Sequence, residues 1–70
     1  MTATDIKNAR QALRKPGTTA QLWIHDDLAV IITKTQAREI FEQIEAMGAD
    51  YAERWTVSIY SDGIALWAGR

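Results

Sequence analysis

The sequence has no cysteine in its 70 residues. That absence removes disulfide frameworks, thiol nucleophiles, thiolate zinc sites and iron–sulfur clusters together. Glycine is sparse and scattered, at positions 17, 48, 63 and 69, so no glycine-rich loop is available to cradle a phosphate. A single histidine, His25, falls in a turn-like stretch and leaves a nucleophilic triad little to draw on. The longest apolar run, Leu28 to Ile32, is far below the ~20 residues that span a bilayer. Met1-Thr2-Ala3-Thr4-Asp5 lacks the apolar core of a secretion signal, and a cytoplasmic protein is expected. Neither charge sign dominates: the formal net charge of −1 argues against a polybasic nucleic-acid binder and against a polyanionic mimic.

What is present is the composition of a globular chain, with 47% hydrophobic and 24% charged residues, well away from the signature of disorder. The length leaves room for one domain, residues 1–70, and no second. Pro16-Gly17 divides a helix-like opening from a strand-like stretch. Between Asp5 and Lys15, Ile6, Ala9 and Leu13 recur at helical spacing, and Lys7, Arg10 and Arg14 repeat that spacing one residue on. Thr4 is the expected N-cap of this short helix. A longer apolar stripe, Ala37, Ile40, Phe41, Ile44, Met47 and Tyr51, marks a central amphipathic helix. Thr33 or Thr35 can cap it, Thr33 to Gln36 has capping-box spacing, and Gly48 can end it.

The stretches Thr18–Thr33 and Trp55–Gly69 are rich in β-branched and aromatic residues and read as two hairpins. In the first, two registers compete. A three-residue turn, His25 to Asp27 with Asp27 left-handed, puts Ala20, Leu22, Ile24, Leu28, Val30 and Ile32 on one face, the cleaner core. A two-residue Asp26-Asp27 turn puts Leu28, Val30 and Ile32 on the face of Trp23 instead. In the second hairpin the Asp62-Gly63 dipeptide suits a type I′ turn and pairs Ser61 with Ile64. Val57, Ile59, Ile64, Leu66 and Ala68 then share one face, and Ser58, Tyr60, Ala65 and Trp67 the other. The expected fold is α+β, in the order αββαββ, with one four-stranded antiparallel sheet and the central helix across one face. The two helix–hairpin halves resemble each other in pattern, which turn chemistry alone can also produce.

The candidate surface follows from where the first helix lies. Beside the central helix, it leaves Trp23, Ile31, Tyr60 and Trp67 together on an uncovered sheet face, an apolar patch that soluble monomers seldom leave without use. Over the opposite face, it buries them. The remaining chemistry is slight. His25, Asp26 and Asp27, with Asp62 from the second turn, have metal-ligand chemistry, but Asp in hairpin turns ordinarily serves the turn amides. No metal, no cofactor and no catalytic residue is expected. The charge is split along the chain, with residues 1–34 at +2 (five Lys/Arg against three Asp) and residues 35–70 at −3 (three Arg against six Asp/Glu).

In size, in its cysteine-free and mildly acidic composition and in compact α+β patterning, the chain resembles the small accessory proteins of bacteriophages, anti-CRISPR inhibitors among them. The resemblance spans the whole chain and carries no motif. It implies a protein that acts by covering a surface of a host protein. The expected function is thus a non-enzymatic interaction module that binds, and in this class inhibits, a protein partner through the aromatic sheet face, with a homodimer as a related use of that face. The alternative is a nucleic-acid-binding regulator in which Lys7, Arg10 and Arg14 lie along phosphates and the sheet aromatics stack on bases.

Overall fold

Both long helices open on a threonine that satisfies the first free amides. In the computed structural model, which describes residues 1–69, α1 spans Ala3–Leu13 and α2 spans Lys34–Met47. The Asp5 amide donates to Thr2 Oγ1 at 3.1 Å, and the Thr2 amide donates to Asp5 Oδ2 at 2.9 Å. The cap is therefore Thr2 and not Thr4. A reciprocal box needs an acceptor three residues on, which Asp5 supplies for Thr2, whereas Thr4 would face Lys7. Thr33 and Gln36 form the same box at α2, with distances of 2.9 and 3.0 Å. Gly48, at φ 95°, stops α2, and a single further turn, α3 (Ala49–Ala52), follows.

The strands are β1 (Thr19–His25), β2 (Leu28–Ile32), β3 (Trp55–Tyr60) and β4 (Gly63–Ala68). They form one four-stranded sheet in the order β2-β1-β4-β3. The α+β class and the two hairpins agree with the sequence, but the wholly antiparallel sheet does not: the central pair, β1 and β4, runs parallel. Residues 33–54 separate the hairpins, long enough for a crossover that brings the last strand of the chain beside the first. Nothing in a local hairpin signal specifies that choice. The topology also gives the two halves no common symmetry, because the first strand of one hairpin meets the second strand of the other, in parallel.

Both turns differ from expectation in an instructive way. In the first, His25 pairs with Leu28 across Asp26-Asp27, yet Trp23 pairs with Ala29. Ile24 is thus an extra residue, a bulge that restores the register. The turn is the two-residue one, while the faces are those of the three-residue one. Among the described residues no side-chain-bearing residue has positive φ, so Asp27 is not left-handed. In the second hairpin Tyr60 pairs with Gly63 and Ile59 with Ile64, a shift of two residues from the expected pairing. An even shift keeps every side chain on its expected face. The turn is Ser61-Asp62, and Gly63 belongs to the strand.

Gly63 is needed there rather than in the turn. Its backbone lies against Thr19, whose amide donates to the Asp62 carbonyl at 2.9 Å. A Cβ on Gly63 would overlap the Thr19 carbonyl oxygen, and its φ of 151° also favours glycine. The glycine lets β4 close on β1 where the two hairpins join.

Both helices lie on one face of this sheet. Ile6, Ala9 and Leu13 from α1 and Ala37, Phe41 and Ile44 from α2 meet Ala20, Ile64 and Leu66 in a single core, with Leu22, Ile32, Trp55 and Val57 at its margin. The smallest dimension of the Cα trace, 17 Å, holds one helical layer on one sheet. Arg10 ties the helices together, paired with the Glu45 carboxylate at 2.9 and 3.2 Å and lying 5.8 Å from the centre of the Phe41 ring. Coverage stops short of the β1–β2 hairpin tip. Ile24, Leu28 and Val30, expected in the core, are exposed at 59, 45 and 40%, because α1 packs over β3 and β4 and α2 over β1, with Ala20 rather than the hairpin tip in the core cluster.

Two consequences can be measured. Gly63→Ala is expected to cost at least about 3 kcal/mol, since overlap and backbone strain combine. Gly17→Ala, with open space around it but φ at 80°, should cost only about 1–2 kcal/mol. Equal losses in urea unfolding would contradict the close approach at the seam. The second consequence concerns acid. Hydrogen bonds from the Thr2 amide and then the Thr2 hydroxyl hold the Asp5 carboxyl below its ordinary range. A depressed carboxyl stabilises the fold above its unfolded value and loses that contribution as pH falls through the folded one. Asp5→Asn should therefore destabilise the protein at neutral pH and match the wild type below the carboxylate range.

Candidate functional site

With both helices on one side, the other sheet face is bare among the described residues. The strand pairings place its residues directly. Ile31, Gln21, Ala65 and Ser58 form one row across the four strands, and Ala29, Trp23, Trp67 and Thr56 form the next. All four residues singled out from the sequence, Trp23, Ile31, Tyr60 and Trp67, therefore share this face. They do not form a single cluster. Trp23 and Trp67 are direct neighbours on the parallel central strands, and Ile31 lies two residues from the Trp23 partner on the edge strand. Tyr60 stands opposite Gly63, at the other end of β4. Four residues of strand, about 13 Å, separate it from the tryptophan row.

Exposure sharpens the picture. Ile31 and Tyr60 are 67 and 57% exposed, whereas Trp23 and Trp67 are half-buried. Ala65, at the centre of the face, is only 3% exposed although it lies outside the core cluster. Its neighbours, Gln21 and Ser58 in its own row and Trp67 two residues along, shade it. The face is thus a small-residue floor flanked by the tryptophan pair and Ile31. Beyond the tryptophans a recess of about 330 Å³ continues along Trp23, Ile24, His25, Asp26, Trp67 and Ala68. It sits at the carboxyl ends of the two parallel strands.

The other candidates are dispersed. The Asp27 amide donates to His25 Nδ1 at 3.3 Å, so the histidine serves its own turn. Asp62 adjoins the opposite end of β1, through Thr19, about 20 Å from His25 along the strand. The grouping of His25, Asp26, Asp27 and Asp62 is not assembled. Lys7, Arg10 and Arg14 do line a common groove on α1, shared with Glu45. Arg10 is engaged by that glutamate and by Phe41, which leaves Lys7 and Arg14 as the exposed cations of the three. The groove lies in the helical layer, on the far side of the molecule from the tryptophans. A larger recess of about 460 Å³ opens between α1, α2 and α3, with Met1, Ile6, Ile44 and Ala52 among its walls. Its walls belong mostly to helix junctions, with the Met1 ammonium tied to the Ala52 and Trp55 carbonyls at 2.7 and 3.0 Å.

Sequence reasoning missed the exposed tip. Ile24, Leu28 and Val30 follow a core pattern, and only the extent of helical cover shows that they face water. The available signal was length along the strands: α1 spans about 16 Å, less than the roughly 23 Å of the seven-residue β1. Among the described residues no helix is long and apolar enough to cross a membrane. Compared with protein-family models, with curated proteins and with solved structures, the chain matches none.

Proposed function

We propose that this protein is a non-enzymatic binding module that docks a protein partner on its open sheet face, with Trp23 and Trp67 as anchors and Ile31 and Tyr60 flanking them. The observation that carries the reading is the tryptophan pair. Two large aromatic side chains sit side by side on the two central strands of the sheet, half-exposed on a face that the chain's own helices leave uncovered. Rings held this way lose little conformational freedom on binding, and aromatic residues of this kind dominate interface energetics. Occupying a partner's surface is also how such a module inhibits. The reading takes that encounter to be cytoplasmic.

The nucleic-acid alternative is less well supported, for a geometric reason. Base stacking on Trp23 and Trp67 and phosphate contact with Lys7 and Arg14 occur on opposite faces of a molecule 17 Å thick. One bound strand cannot use both without wrapping around the sheet.

Capture with a tagged chain from the source cells, followed by mass spectrometry, identifies the partner, and variants then test the face. Trp67→Ala should weaken capture by at least about tenfold, the loss of an anchor worth ~2 kcal/mol. Far-UV circular dichroism should stay native. Binding should change little with salt, whereas phosphate contacts weaken steeply as salt rises. Capture that survives Trp67→Ala and Trp23→Ala but fails on Lys7→Ala with Arg14→Ala would move the site to α1.

A further inference from the structure

The open face is not the only unfinished surface. Strand β2 is a sheet edge, and its sequence, Leu28-Ala29-Val30-Ile31-Ile32, is apolar throughout. One flank of its backbone pairs with β1, while the other presents a row of amides and carbonyls with no strand against them among the described residues. Proteins that remain monomeric guard such edges with lysine, proline, a bulge or a covering loop. Here the bulge lies in β1, at Ile24, and β2 carries none of these devices. The other edge is different. β3 alternates Thr56 and Ser58 with its apolar residues, and α1 packs along it.

Exposure along β2 is two-sided. Leu28 and Val30 project toward the helical side beyond the reach of the helices, and Ile31 projects on the open side at 67% exposed. A partner that satisfies this edge must supply a strand, and it must be apolar on both faces. β2 itself has that composition. We propose that β2 pairs antiparallel with β2 of a second copy, so that two four-stranded sheets join into one of eight strands. This rests on the edge alone and goes beyond the partner reading of the open face.

Self-complementarity supports the choice of occupant. In an isologous contact residue i of one copy meets residue j of the other and j meets i, so one patch must be complementary to itself and only the residue on the two-fold axis meets its own copy. Because β2 has no charged residue, no like charges oppose one another there. Centred on Val30, the pairing sets Leu28 against Ile32 and Ala29 against Ile31 of the second copy, so every cross-strand pair is apolar. The turn carboxylates of Asp26 and Asp27 in one copy then approach the Lys34 end of the other, where opposite charges meet at both edges of the contact. The axis runs perpendicular to the sheet. Both tryptophan faces therefore look the same way, and the open surface doubles in width without being covered.

Sedimentation of the purified chain tests this. The expected species has twice the 7.9 kDa mass of one chain at micromolar concentration. Val30→Lys, which places a charge opposite its own copy, should return it to one chain while circular dichroism stays native. Trp67→Ala should leave the dimer intact, which separates this contact from the partner site. Should Val30→Lys unfold the chain, Val30→Cys decides. In a protein with no other cysteine, opposed residues near the axis lie close enough for a disulfide on mild oxidation, and Ile59→Cys on the β3 edge should not cross-link. A wild type that sediments as a single chain at every concentration, a dimer that survives Val30→Lys, or a Val30→Cys protein that stays uncrosslinked overturns the proposal.

Discussion

The approach of Gly63 to Thr19 is the contact on which the rest of this structure depends. It brings β4 against β1, turns two marginal hairpins into one sheet, and does so with the last strand parallel to the first. A two-stranded hairpin alone is barely stable in water. Joined at the centre, the four strands present Ala20, Leu22, Ile64 and Leu66 as one apolar surface, onto which α1 and α2 close. The small residues on that surface matter as much as the large ones. Ala20, Ala9 and Ala37 are fully buried, and their size lets two helices share one face of a narrow sheet.

Placing both helices on the same side has an electrostatic and a functional consequence. The basic stripe of α1 comes beside the acidic face of α2, and the Arg10–Glu45 pair spans them, so the opposite charges of the two halves of the chain meet in one layer. At its half-exposed position the pair contributes modestly, as surface ion pairs do, but the packing of Arg10 over Phe41 adds apolar cover to the core. Meanwhile the sheet's other side keeps Trp23, Trp67, Ile31 and Tyr60 with no element to shelter them among the described residues. The residues that line this uncovered face are what carry the functional reading.

Much of this was readable from residue spacing. The stripe from Ala37 to Ile44 identified α2, and the Thr33-x-x-Gln36 spacing narrowed its cap to Thr33 or Thr35, of which the structure uses Thr33, because both are local signals. The two faces of the second hairpin were also readable, since parity survives a shift of two residues even though the Asp62-Gly63 dipeptide pointed to the wrong turn. What could not be read was non-local. The parallel β1–β4 pairing depends on a contact between residues 19 and 63, and Gly63 looks like a turn glycine until its neighbour is known. The bulge at Ile24 hid in the same way, combining the turn of one register with the faces of the other. The four surface residues were found by assuming that α1 lies beside α2, which parity alone does not decide. Their separation into a tryptophan pair with Ile31 and a distant Tyr60 came only from the strand register.

The claim on which all else rests is that the sheet has one covered face and one bare one, built around parallel β1 and β4. Nuclear Overhauser contacts in an isotope-labelled sample test it most directly. The account predicts cross-strand contacts between the backbones of Leu22 and Leu66 in the parallel pattern, and no contact from the indole rings of Trp23 or Trp67 to any residue of α1 or α2. Ring contacts from either tryptophan to Ile6, Ala9 or Leu13 would contradict it, since they would place α1 over the face described here as open.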